Sequence, residues 1–252
     1  VRVADRRREL LAPTSLWVPA GEVTFAVGHP GLAHTSLALA LAGRLALSAG
    51  AVGLDDDSTP RALQAGVALV DIPGVSAPDD AVSLRTVIGE ELAMAGQRAR
   101  SSDVAALAAE HELEEYLRRP WEEAPAMRRV QLLIALAGRR PGVSHIVLGY
   151  PERHGLSVGE VLVLAHGATL DGLGVVVTAT RAVGLPRAVS TVQIGAAVPA
   201  AEKQPAEKQP AGEQQPDGTA AEAPPPPEED EAATAAATET TSETNENPQE
   251  RR

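Results

Sequence analysis

The sequence predicts an α/β fold: a mostly parallel sheet flanked by helices, followed by a C-terminal tail with no fold of its own. Three observations lead there. Short, uniformly apolar segments alternate with helical patterns, as in parallel sheets buried on both faces. One of these strands runs into a glycine-rich turn and then a helix. Composition changes abruptly near Pro199.

In chain order, Glu22–Val27 reads as a β-branched strand ending in the turn, and Ser36–Ser48 as the helix after it. Asp55–Asp57 reads as a solvated turn, and Gly66–Asp71 as a buried strand. Ser83–Ala99 and Asp103–Arg118 are helical, the second amphipathic and opened by Ser102 or Asp103 as its cap. Arg128–Leu136 is a helix that leads through Pro141 into a strand at Ser144–Leu148. A helix over Val158–His166, a strand over Gly174–Thr178 and a last strand over Ala188–Ile194 complete the body. Trp17 and Trp121 are expected to be packing residues.

The body spans residues 1–198 and the tail 199–252. The tail holds 13 acidic and 4 basic residues and so carries −9 of the chain's net −12, which leaves the body at −3. It opens with AEKQP repeated at 201–205 and 206–210, then runs through Pro224–Pro227 and an acidic cluster at Glu228–Glu231. So few large apolar residues cannot offset about 1–2 kcal/mol of backbone entropy per residue, and disorder is expected. A weakly acidic body excludes a general nucleic-acid binder, which needs a basic face. The absence of cysteine excludes disulfides and thiolate metal sites and fits a reducing compartment. No segment approaches the roughly 18 apolar residues of a membrane-spanning helix. Abundant Ala, Gly, Arg and Pro with few aromatics read as a bacterial, GC-rich coding bias. The six histidines show no metal-ligand spacing, so no metal site is expected.

The strongest local feature is VTFAVGHPGLAHTSL at 23–37. A strand, Gly28, Gly31 and a helix starting near Thr35 form the context in which backbone amides and a helix N-terminus cradle phosphate. The pattern G-x-x-x-x-G-K-[ST] falls on Gly28, Ala33, His34 and Thr35. The first glycine and the hydroxyl are present; alanine replaces the second glycine and histidine the lysine. His34, with an ordinary pKa of about 6.5, supplies no permanent cation at neutral pH. Gly28, Gly31, Ala33, His34, Thr35 and Ser36 are the candidate nucleotide-binding residues. Taken alone, the loop also fits an ordinary strand-to-helix turn.

The order of features over roughly residues 10–195 resembles the ATP-binding cassette of ABC transporters. Leu84–Leu92 (LRTVIGEEL) resembles that family's entry to its helical subdomain, here about 78–140. Residues 128–137 (RRVQLLIALA) resemble the helix after the family's LSGGQ signature, which Glu122–Ala126 replaces. The apolar strand at 145–148 is followed by Gly149, Tyr150 and Pro151, then Gly155 and Leu156, where the family has Asp-Glu-Pro and Gly-Leu-Asp. Val175–Arg181 (VVVTATR) resembles the strand and switch that end in histidine in the family.

This resemblance implies a P-loop NTPase-like core with a small helical subdomain, and it also shows what chemistry is missing. Gly149 lacks the carboxylate that would orient Mg²⁺, so metal binding is disfavoured. Tyr150 stands for the water-polarising glutamate and, with a pKa of about 10, is a poor base. Arg181 stands for the switch histidine. Glu152 is the one candidate for a displaced catalytic acid. Phosphoryl transfer depends on positioning and charge neutralisation, so these losses together predict weak or no hydrolysis. Whether ATP binds weakly or not at all stays open. The family implies a cytoplasmic protein at the inner face of the membrane, partnered by a permease subunit, a second cassette or both. A divergent but active ATPase and a stand-alone scaffold are the alternatives.

Overall fold

The parallel sheet forms as expected, and the strands that build it bring three loops to one edge. The computed structural model describes residues 1–180 and 184–196. Arg181 and the tail at 199–252 lie outside the described residues. Two short strands, β1 (Val3–Ala4) and β2 (Glu9–Leu11), form an antiparallel hairpin. They precede β3 (Val23–Val27), α1 (Leu32–Leu41), α2 (Pro60–Gly66) and β4 (Val67–Val70). Three helices follow: α3 (Leu84–Met94), α4 (Ser101–Glu110) and α5 (Ala126–Gly138). The chain then runs through β5 (His145–Gly149), α6 (Val158–Leu170), β6 (Gly174–Ala179) and β7 (Ser190–Gln193).

The sheet has five parallel strands in the order β4-β5-β6-β3-β7. Side-chain alternation divides the apolar runs between two cores. Val67, Leu69, Val147 and Val176 pack with Leu37 and Ala38 of α1, while Ala68, Val70, Ile146 and Val177 pack beneath α5 and α6. Burial on both faces explains why these strands read as continuous apolar runs. The edge strand β7 has one covered neighbour and is mostly exposed.

Local chemistry sets the helix ends, and several differ from expectation. Helix α1 starts at Leu32, directly after Gly31, and Gly43 at φ 63° turns the chain after it, so it lies several residues ahead of the expected Ser36–Ser48. Helix α2 was not expected at all. Thr59 Oγ1 caps it by accepting from Ala62 N–H, with Pro60 at the first helical position. Helix α3 is capped by Ser83. Helix α4 begins at Ser101; Asp103 acts not as the cap but from its third position, accepting from Arg100 N–H at 3.0 Å. Helix α4 ends at Glu110, and the chain reverses at Glu112, φ 57°, well before the expected Arg118. Ser157 and Glu160 satisfy each other's backbone amides at the start of α6.

The tryptophans part company. Trp121 is 2% exposed in the core, whereas Trp17 is 81% exposed and does not pack. Its carbonyl accepts from Thr24 Oγ1, which places it at the amino-terminal end of β3, away from Gly28.

Candidate functional site

Strand register assembles the site. Val27 lies beside Ala179 of β6, and Gly149 of β5 lies beside Thr178. The residues that follow β3 and β5 therefore converge on the end of β6. The turn after β3 is only Gly28–Gly31, because α1 begins three residues before the expected Thr35. That places Ala33 and His34 inside the first helical turn.

Each loop glycine has a local structural reason. A Cβ at Gly28 would sit 3.0 Å from Ile194 Cβ, and Gly28 N–H donates to Ala179 O rather than into the loop. Gly31 has φ 151°, a conformation that suits glycine and strains other residues.

His34 is 1% exposed. Its Nε2 lies 3.1 Å from the carbonyl of Ala179, and its Nδ1 lies 2.5 Å from the hydroxyl of Tyr150. A carbonyl can only accept, so Nε2 carries the proton and Nδ1 is a bare acceptor. Tyr150 O–H then donates to Nδ1, and its oxygen accepts from Gly31 N–H at 3.3 Å. The chain from Gly31 through Tyr150 and His34 to Ala179 is complete without any charge. Burial pushes the His34 pKa below its ordinary value and the Tyr150 pKa above its own, so both groups are neutral at pH 7. Tyr150 holds this position at φ 47°, an uncommon conformation for a bulky residue.

Thus the structure brings Gly31, His34 and Tyr150 together, and the phenol occupies the mouth of the loop. Thr35 is half-buried and Ser36 buried on the next part of the helix. Glu152 follows in a short 3-10 turn, where its carboxylate accepts from Thr180 N–H at 2.6 Å. It lines a cavity of about 390 Å³ with Phe25, Leu156 and Val161.

A second cluster went unread in the sequence. Asp71, 2% exposed with φ 56°, follows β4. Its Oδ1 accepts from Arg153 Nη2 at 2.5 Å and its Oδ2 from His154 Nε2 at 2.7 Å. Arg153 Nη1 also reaches Asp71 O at 2.8 Å. The backbone held there crosses Gly149: a Cβ at Gly149 would lie 2.7 Å from Asp71 O and 2.9 Å from Ile72 Cα. The position expected to lack a metal ligand has no room for one. Only the left-handed backbone at Asp71 hints at this cluster locally; its partners lie 82 and 83 residues away. Among the described residues, no three His, Asp or Glu side chains gather to hold a metal ion.

One pH dependence follows. Burial lowers the pKa of His34 and also of His111, which is 6% exposed. The unfolded chain therefore binds more protons than the folded one below about pH 6.5. Their contribution is complete above that pH and is lost as pH falls through it, with a slope of up to about 1.4 kcal/mol per pH unit for each histidine. Urea unfolding between about pH 7 and pH 5 should show the loss, and His34→Gln should flatten it. An unchanged profile would assign the titration to other groups.

No family model matches this sequence. No curated protein matches it either. Among solved structures, one described as the structure of the ATP binding subunit of an ABC transporter superimposes with a TM-score of 0.50 at 16% identity, over 71% of this chain and 76% of that chain. At that identity the likeness shows the fold alone: a mostly parallel α/β sheet flanked by helices, shared with that subunit.

Proposed function

We propose that this chain is a cassette-fold subunit that does not hydrolyse ATP and acts by docking, on a membrane permease, a second cassette or both. The observation that carries the reading is the neutral chain from Gly31 through Tyr150 and His34 to Ala179. A phosphate loop works by offering unpaired amides and a cation to an anion. Here Gly31 N–H is already satisfied, the residue in the lysine position is neutral and turned toward β6, and a phenol fills the mouth. A triphosphate would have to displace Tyr150 and gain no cation in return. The crowding at Gly149 supports the same reading, because the metal that neutralises a transferring phosphoryl group has no carboxylate there. None of the described helices is long and apolar enough to cross a membrane.

The test is ATP binding and turnover by purified full-length protein with Mg²⁺. The expected result is no phosphate release above buffer and no saturable binding of a fluorescent ATP analogue up to about 1 mM. Tyr150→Asn removes the phenol while tolerating the left-handed backbone, and should expose the loop to weak phosphate binding without turnover. Turnover by the parent protein that disappears in Glu152→Gln would overturn the reading and establish an active, divergent ATPase.

A further inference from the structure

A cleft of about 740 Å³ opens beside the Asp71 cluster, and none of its lining residues belongs to the phosphate loop. Asp71, Arg153 and His154 line one part of it, and their side chains are hydrogen-bonded to one another. Arg129 is different. It is 8% exposed, lines the cleft from α5, and stacks with its guanidinium carbon 5.5 Å from the Trp121 ring centroid. Its Nε is buried without a hydrogen-bond partner among the described residues. Burial lowers its pKa, and the charges of Asp80, Asp71 and Glu122 nearby oppose that shift.

A buried guanidinium nitrogen without a hydrogen-bond acceptor is costly to the fold by itself, so its presence calls for a reason. Its five donors in a rigid fork match a carboxylate. The rim supplies the opposite charge: Asp79, Asp80 and Glu122 all line the same cleft and are exposed. Asp79 accepts from Ala81 N–H, whereas Asp80 and Glu122 have no side-chain partner among the described residues. A cation whose Nε lacks a hydrogen-bond acceptor, among acids that outnumber the basic groups of the cleft, favours a ligand with one carboxylate and two positive groups. The volume lies within the usual range for small-molecule sites.

We infer that this cleft binds a free basic amino acid, its α-carboxylate on Arg129 and its two cationic groups toward Asp79, Asp80 and Glu122. Recognition at both ends excludes close analogues. An amine without the carboxylate leaves Arg129 Nε without an acceptor, and a dicarboxylate meets the acidic rim. The inference does not depend on the absence of ATP hydrolysis.

Trp121 provides the readout. In full-length protein carrying Trp17→Phe it is the remaining tryptophan, and it touches Arg129. Titration with L-arginine or L-lysine should give a saturable change in its fluorescence below about 10 mM. Agmatine, which lacks the carboxylate, and succinate should each bind at least roughly tenfold more weakly. Arg129→Met should abolish the response with an unchanged or raised Tm, because it removes a buried charge whose Nε has no hydrogen-bond partner among the described residues. If that variant fails to fold, Asp80→Asn with Glu122→Gln, both exposed, should weaken L-arginine roughly tenfold and narrow its advantage over succinate. No saturable response to either basic amino acid, equal responses to agmatine and succinate, or an undiminished response in Arg129→Met or in the double variant would overturn the assignment.

Discussion

Gly149→Asp should destabilise the protein by about 3–5 kcal/mol, measured as a fall in the midpoint of urea unfolding. The substitution would restore the carboxylate that the cassette resemblance places at this position. Its Cβ would fall 2.7 Å from Asp71 O, 2.8 Å from Ile72 Cδ1 and 2.9 Å from Ile72 Cα. Two of these contacts are with backbone, so rotamer changes cannot relieve them. The carboxylate would also be buried with no cation assigned to it. Gly149→Ala isolates the steric part and should cost about 1–3 kcal/mol. A Gly149→Asp protein as stable as its parent, with new Mg²⁺ affinity, would show that the metal position is open. Crowding at Gly149 would then no longer count against ATP hydrolysis by this chain.

Asp71→Asn should cost about 2–4 kcal/mol, the second largest effect expected. Asparagine tolerates the left-handed backbone, so the substitution tests the charge alone. It leaves the Arg153 guanidinium, with its side chain 27% exposed, and the ring of His154, 15% exposed, around a neutral group. Partial exposure of Arg153 keeps the estimate below that for a fully buried pair. Adding Arg153→Gln should recover part of the loss in a double-mutant cycle. Additive effects would mean that the two side chains do not share the interaction. Because Arg153 also holds Asp71 O, Asp71→Asn should lower the further cost of Gly149→Ala by loosening the backbone that crowds it.

The strands were the most legible part of the chain. Val67–Val70, Ile146–Leu148 and Val175–Val177 are apolar without interruption, and burial on both faces of a parallel sheet leaves no alternation to misread. Helix ends were read less well. Helix α2 carried a readable signal, Thr59 followed by Pro60, but its seven residues are too short for a clear apolar period. The glycine spacing predicts a loop that runs on to Thr35, whereas Gly31 directly precedes α1. Trp17 was expected to pack because large aromatics usually do, and that preference says nothing about where one residue's neighbours lie.

The sequence by itself determined the five strands of the parallel sheet in chain order and the position of a strand-turn-helix loop, because these follow from local apolar period and turn chemistry. It also identified which residue types were absent: no lysine at His34, no carboxylate at Gly149 and no glutamate at Tyr150. Only the tertiary structure decided what occupies those places. Strand pairing sets Tyr150 beside a loop 119 residues earlier and Arg153 beside Asp71, 82 residues earlier. It also leaves Arg129, which reads as an ordinary position on a helix, buried with its Nε lacking a hydrogen-bond partner among the described residues. Contacts between distant segments leave no period in the sequence. They arise when the sheet closes, and at this site that closure places a neutral phenol and imidazole at the mouth of the loop.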